Sequence, residues 1–412
     1  MVHPTLFFWL LVAGLDPHAC GQGVPDQENH PTPMNLSASS TFLNNSHFAF
    51  SLYRRVVAAN PGKNIIFSPL SFSIPLTLLA LQARPAVRMQ VLEGLGFPLT
   101  QVPENGVHAH YSQQLLASVR PLAASGADVG SLLFVDQKRY LAQRFVNIAQ
   151  NLYHTEVFPI PFGNNRVARE QMDHFISKMT HGKIGTLAQE LNPDTVLILA
   201  NYIFFKGKWK ILFDPKLTEI RPFSVSEGVK IMVPMMQRPG WFQLQRFYHL
   251  HSYVLRLPCS SHTTAVFILP DTGKARDTDE ALMRENFDTW SQPFPLSSRR
   301  RLYFPKFSFS GKRQLEQLLP SMGMSDISSY CVGITGISLQ TIPLRISRAV
   351  HTAELSMDET GAEAEDTSGL QSLPRSHLPP FHFNRPFLLL MFEEGGRKLF
   401  FMGKVMNPRA KS

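Results

Sequence analysis

The stretch AVHTAELSMDETGAEAEDTSGLQSLPRSHLPP, residues 349–380, changes character in its middle. Up to Glu359 it reads as a strand: side chains of an extended chain alternate between two faces, so Ala349, His351 and Ala353 share one. A histidine between alanines on that face is most simply a core residue with its ring nitrogens satisfied. Beyond Glu359 the apolar period stops. Small, acidic and proline residues run on until strand-like text resumes at Phe383. Compact domains seldom keep an irregular loop longer than about 12–15 residues unless it has a use. Near the end of this one stands Pro374-Arg375-Ser376, a basic residue in an otherwise acidic and small-residue segment.

The elements on either side set the fold class. A helix starts at Ser46, which can cap it, and carries Phe48, Leu52 and Val56 at a spacing of four. SPLSFSIPLTLLALQA (68–83) predicts a more buried helix, and AVRMQVLEGLGF (86–97) a third, stopped by Gly94 and Gly96. VGSLLFVD (129–136) reads as strand, LAQRFVNIAQNLY (141–153) as helix and VLILANYIFFKGKW (196–209) as a long central strand. TTAVFILP (263–270), RLYFPKFSFSG (301–311), RPFLLLMFE (385–393) and KLFFMGKV (398–405) are further strands. Helices dominate the first half and strands the second, an α+β pattern. Lys306 interrupts one apolar strand and Glu359 closes another; they are either two solvated charges or one pair. Residues 21–45 have no apolar period and read as a flexible N-terminal segment. Residues 46–412 show no internal linker and read as a single domain.

Composition narrows the function. Of 412 residues, 44% are hydrophobic and only 17% charged, which suits a substantial core and excludes wholesale disorder. The net charge of +9 permits attraction to polyanions, but no Lys/Arg-rich tract or basic-aromatic helix points to nucleic acid. Residues 1–20 carry an apolar run, Thr5–Leu15, too short for a bilayer and suited to a secretory signal peptide. A secreted, extracellular glycoprotein with no membrane attachment follows, with sequons at Asn35 and Asn44. Cys259 and Cys331 then remain, as two free thiols or as a pair. There is no G-x-S-x-G, H-E-x-x-H, G-x-G-x-x-G or P-loop, and no zinc spacing. His108 and His110 lack an acidic or cysteine companion. The chain is therefore expected to be no enzyme and to hold no metal or cofactor.

Six stretches carry a resemblance: NIIFSPLSFS (64–73), LANYIFFKGKW (199–209), VPMM (233–236), LYFPKFSFSG (302–311), AVHTAELSMDETGAEA (349–364) and FNRPFLLLMF…LFFMGKVMNP (383–408). In that order they resemble the serpins, closest to the secreted α1-antitrypsin-like group (clade A type), from about Phe48 to Pro408. The resemblance implies a large, mostly antiparallel sheet, two smaller sheets, about nine helices and an exposed reactive loop, here residues 359–381. It implies a monomeric, suicide-type protease inhibitor whose loop, once cleaved by a serine protease, inserts as a new strand and carries the acylated enzyme with it. Glu359, Gly361, Ala362, Ala364 and Asp366 then form the hinge. The family places the scissile bond sixteen residues beyond the glutamate, and 359 + 16 is 375; counting back from FNRPF reaches the same bond, Arg375–Ser376. An arginine there implies a trypsin-like target, whose specificity pocket offers a carboxylate to the guanidinium. Ser68, Asn201 and His351 match a polar cluster where the sheet opens. Trp209, Lys306 and Glu359 match contacts at the top of the sheet, the breach.

The hinge departs from the inhibitory pattern. Ala362, Ala364, Asp366, Ser368 and Leu370 would share one face of an inserted strand, with Glu363, Glu365 and Thr367 on the other. The alanine face is the natural inward one, and it would bury Asp366, at a cost of several kcal/mol unless the carboxyl is protonated. Glu365 and Asp366 thus support an alternative: a non-inhibitory serpin, a hormone carrier or binding protein. Arg299, Arg300 and Arg301, with Lys306, Lys312 and Arg313 nearby in sequence, offer heparin or another polyanion a site, or form a solvated basic rim.

Overall fold

The apolar run at residues 196–205, interrupted only by Asn201, becomes a strand buried on both faces, and the molecule is built around it. The structure, a computed structural model, describes residues 45–97, 107–124, 126–184, 191–192, 194–259, 263–282, 294, 298–328, 334, 336–339, 344–361, 378–393 and 398–410. Residues 1–44 with both sequons, Cys331, and the loop residues Ala362, Ala364, Asp366, Arg375 and Ser376 lie outside them.

In chain order the described elements are α1 (Ser46–Ala59), β1 (Ile65–Phe67), α2 (Pro69–Leu81), α3 (Pro85–Gly94), α4 (Val107–Ala124), β2 (Asp128–Asp136), α5 (Gln143–Tyr153), β3 (Thr155–Ile160), α6 (Asn165–Met179) and β4 (Leu197–Trp209). Then come β5 (Glu219–Ser226), β6 (Val229–Phe247), β7 (Ser252–Pro258), β8 (Thr263–Pro270), α7 (Ala275–Leu282), β9 (Ser298–Pro305), β10 (Phe307–Gln314), β11 (Arg348–Gly361), β12 (Pro380–His382), β13 (Phe387–Glu393) and β14 (Leu399–Val405). The class is α+β, as the sequence predicts.

One sheet has nine strands in the order β1-β14-β13-β8-β7-β6-β9-β12, with β5 also on β6. All its junctions are antiparallel except β12 on β9. The two smaller sheets that the sequence implies merge here through β6. Its first part pairs with β5 and β9 and its last part, Gln243–Phe247, with β7. The other sheet has five strands, β10-β11-β4-β2-β3. Its β11–β4 and β2–β3 junctions are parallel, and the other two are antiparallel.

Alternation along β4 feeds two cores. Leu197, Leu199, Ile203 and Phe205 join the main cluster with α1, α2 and the nine-stranded sheet. Ile198, Ala200, Tyr202 and Phe204 join a second cluster with α6 residues Ala168, Met172 and Ile176. A strand covered on both faces reads as a continuous apolar run, which is why the pattern 196–205 lacks alternation. On β11, Ala349, Ala353, Leu355 and Met357 face the main core while Val350 faces the second.

Two local readings change. RLYFPKFSFSG is not one strand: the chain leaves the nine-stranded sheet after Pro305 and enters the five-stranded one at Phe307, with Lys306 at the crossing. The α1 cap position is Asn45 rather than Ser46, and its buried side chain binds elsewhere, accepting from Leu399 N–H at 2.8 Å and donating to Leu399 O at 2.9 Å. On β10, Gly311 sits so close to β1 that a Cβ would lie 2.5 Å from the Ile66 carbonyl oxygen. Cys259 is a buried free thiol whose pKa burial pushes up to about 12.

Candidate functional site

The sequence-predicted residues of the described region gather along one line, the parallel seam between β11 and β4. His351 and Asn201 are direct partners across it. Ser68 approaches from below, at the junction of β1 and α2, where it caps the helix by accepting from Ser71 N–H at 3.2 Å. Ser68 N–H donates to His351 Nε2 at 2.9 Å, so that nitrogen carries no proton. His351 Nδ1 must then hold the hydrogen and donate it to Asn201 Oδ1, 2.7 Å away. Only the neutral ring can make both bonds. Burial, aided by the charge of Arg313, accordingly lowers the His351 pKa to about 3.

Asn201 is the hub. Its Oδ1 also accepts from Ser71 Oγ at 3.0 Å, and its Nδ2 lies 3.0–3.1 Å from Ser71 O, Gly130 O and Ser131 Oγ. Ser71 O is available because Pro75, four residues on inside α2, has no N–H to give it. A proline that would otherwise weaken a helix thus frees a carbonyl for a side chain on β4. Ser71 and Ser131 complete the cluster, although the sequence reading named neither. The signal for Ser71 was Pro75, and Ser131 carries none.

The upper end of the seam has a different chemistry. Parallel pairing holds from Arg348–Ile198 to Met357–Gly207, then slips: four steps on β11, Met357 to Gly361, match two on β4, Gly207 to Trp209. Within that slip, buried Trp209 donates Nε1–H to Asp358 O at 2.6 Å. Lys306 Nζ lies 2.8 Å from Glu359 Oε2, and Thr218 Oγ1 donates to Glu359 Oε1 at 2.8 Å. Lys306 and Glu359 are therefore a pair. Burial acts to raise the Glu359 pKa, but the bonds from Lys306, its own backbone and Thr218 outweigh it and the net shift is downward. Asp358 pairs with Lys206 at 2.9 Å. These contacts hold the last turn of β11 before the loop through side chains rather than through a regular ladder.

Other singled-out residues lie elsewhere. His108 bonds Gln82 at 2.8 Å and faces Tyr153, and His110 bonds Gln114 at 3.0 Å. Burial, then Arg144 and Arg88, lower the His108 pKa to about 4. The basic residues occupy separate strands: Arg299–Arg301 on β9, and Lys312 and Arg313 on β10, each group about 20 Å from Lys306 along its own strand.

The chain matches the family model described as Serpin (serine protease inhibitor) over residues 43–408. It is 36% identical over 408 residues to alpha-1-antitrypsin 1-1 of Mus musculus, covering 98% of both chains. It is 37% identical over 365 residues to alpha-1-antitrypsin of Meriones unguiculatus, covering 89% of each. Among solved structures it resembles mouse protein-Z dependent protease inhibitor, with a TM-score of 0.79 and 30% identity over 89% of this chain and 97% of that one. It also resembles human thyroxine-binding globulin complexed with thyroxine, with a TM-score of 0.77 and 30% identity over 89% of this chain and 98% of that one. With its two sheets, its parallel seam and these relatives, the chain belongs to the serpin family, protease inhibitors rather than enzymes.

Proposed function

We propose that the protein is a secreted, suicide-type inhibitor of a trypsin-like serine protease, with Arg375–Ser376 as its scissile bond. The observation that carries this reading is the parallel seam. β11 runs into the loop at Gly361, so a chain that reverses there runs antiparallel to β11 and, because β4 is parallel to β11, antiparallel to β4 as well. A strand placed between them would form antiparallel ladders on both sides. The segment from Ala362 to Arg375 has 375 − 361 = 14 residues, and β11 has 14. Cleavage after Arg375 would release a strand long enough to fill the seam. The Ser68–Asn201–His351 cluster would hold the seam closed until then, and the Lys306–Glu359 and Trp209–Asp358 contacts would set the point at which it opens. Secretion after loss of residues 1–20, glycosylation at Asn35 and Asn44, and action as a monomer belong to the same reading.

The test is to mix the protein with trypsin and separate the products under denaturing conditions. The expected result is a covalent complex and a released fragment starting at Ser376. Arg375→Leu should move reactivity toward chymotrypsin- or elastase-like proteases. A fragment starting elsewhere would overturn the bond assignment, and cleavage without complex would overturn inhibition. One observation favours a second reading, a non-inhibitory binding protein: at the level an inserted Asp366 would reach, the inward side chains Leu355, Met357 and Phe205 all belong to the main core. Thyroxine-binding globulin, among the similar structures, is named for binding a small molecule.

A further inference from the structure

A cavity of about 390 Å³ opens where the edge strand β10 meets the C-terminal end of α1. That volume is within the range of small-molecule sites. Its walls have two chemistries. Val56, Ala59 and Leu318 are apolar, and Arg313 stands on the β10 side. None of its lining residues is acidic. Glu316, the carboxylate in the adjoining segment, accepts instead from Ala349 N–H at 2.9 Å.

Arg313 is the unbalanced group. Its Nη1 and Nη2 reach only main-chain carbonyls, Lys312 O at 3.1 Å and Asn64 O at 3.4 Å, and its Nε is buried without a partner among the described residues. Burial lowers its pKa, and no carboxylate opposes the shift. At the end of α1, Asn60 already takes Val56 O at 2.9 Å through its side chain and Val57 O at 3.2 Å through its N–H. A partly desolvated cation without a counter-ion is costly, and a planar guanidinium binds carboxylates with two bonds. Lys312, the preceding residue, points to the opposite face of β10, toward Asp173 and Arg348, so Arg313 alone is the anchor.

We propose that this cavity binds a small amphipathic carboxylate, its head on Arg313 and its apolar body on Val56, Ala59 and Leu318. The site is separate from the β11–β4 seam, and its occupancy is measured without a protease. Isothermal titration of the full-length protein with octanoate should show one saturable site. Octanamide, with the same body and no charge, should bind at least tenfold more weakly. Arg313→Met should weaken octanoate at least tenfold, and Arg300→Met on β9 should leave it unchanged. Should Arg313→Met fail to fold, Gln317→Glu, at an exposed position of the lining, puts a repelling charge there and should weaken binding at least threefold. Octanamide binding as well as octanoate, indifference to both Arg313→Met and Gln317→Glu, or binding of heparin with none of octanoate would each overturn the proposal.

Discussion

Asp366→Ala tests the proposed trap at the residue that most opposes it. Asp366 lies 366 − 361 = 5 residues beyond Gly361, about 17 Å along an extended strand. The same distance back along β11 is the level of Leu355 to Met357, which pair with Phe205 to Gly207 on β4. On the inner face at that level are Leu355, Met357 and Phe205, all in the main core. On the outer face is Lys206 with its partner Asp358. If Ala362 and Ala364 point inward, Asp366 does too and meets only apolar side chains. Its cost is capped by protonation. Taking a carboxyl of pKa about 3.9 to the neutral form at pH about 7.4 costs about 4.8 kcal/mol at 1.36 kcal/mol per unit. If about half of that is felt before the acyl-enzyme hydrolyses, insertion slows by about 2.4 kcal/mol, or about fiftyfold. The wild-type protein should then cut many loops for each protease trapped, and Asp366→Ala should trap with far fewer. The assay is titration of active trypsin, with the covalent complex quantified by denaturing electrophoresis. The sign of the pH effect follows from the same shift: insertion raises this carboxyl's pKa and takes up a proton, so acid favours it. Lowering the pH by one unit should recover about 0.7 kcal/mol of that barrier in the wild type, half of about 1.36, and little in the alanine variant. Equal trapping by both proteins at both pH values would refute the reasoning and place Asp366 on the Lys206 side.

His351 should make stability pH-dependent. Its folded pKa of about 3 lies below the unfolded value of about 6.5, so this contribution is complete above pH about 6.5 and falls with acid by about 1.4 kcal/mol per unit, about 2 kcal/mol at pH 5. His108, lowered to about 4, adds the same sign, so the quantity to read is the difference between wild type and His351→Gln in urea melts at pH 7 and 5. The variant should lose about 1–3 kcal/mol at pH 7 and have the shallower pH dependence; an unchanged slope would refute a neutral, doubly bonded ring. Gly311→Ala should cost about 1–3 kcal/mol by forcing β10 off the Ile66 carbonyl, and an unchanged melting temperature would show that the two strands separate freely.

Much of this was legible in the chain. Alternation put His351 on the face of Ala349 and Ala353, and all three are buried. The apolar text of 196–209 marked a long central strand, and the missing apolar period after Glu359 marked where β11 ends and the loop begins. These are local properties: a period of two reports which face a side chain takes. It does not report which neighbour it meets. Ser68 binds a ring 283 residues away, Asn201 joins His351 across 150, and Lys306 finds Glu359 across 53. The sequence left that last pair as two charges or one bond, and read 301–311 as one strand. Only packing decided that Lys306 sits where the chain changes sheets, beside the end of β11. The same limit separated Arg313 from the arginine triplet on β9 and set it in a cavity. Hydrogen bonds and ion pairs between distant segments leave no periodic trace in sequence; they exist once the two cores have chosen which strands lie side by side.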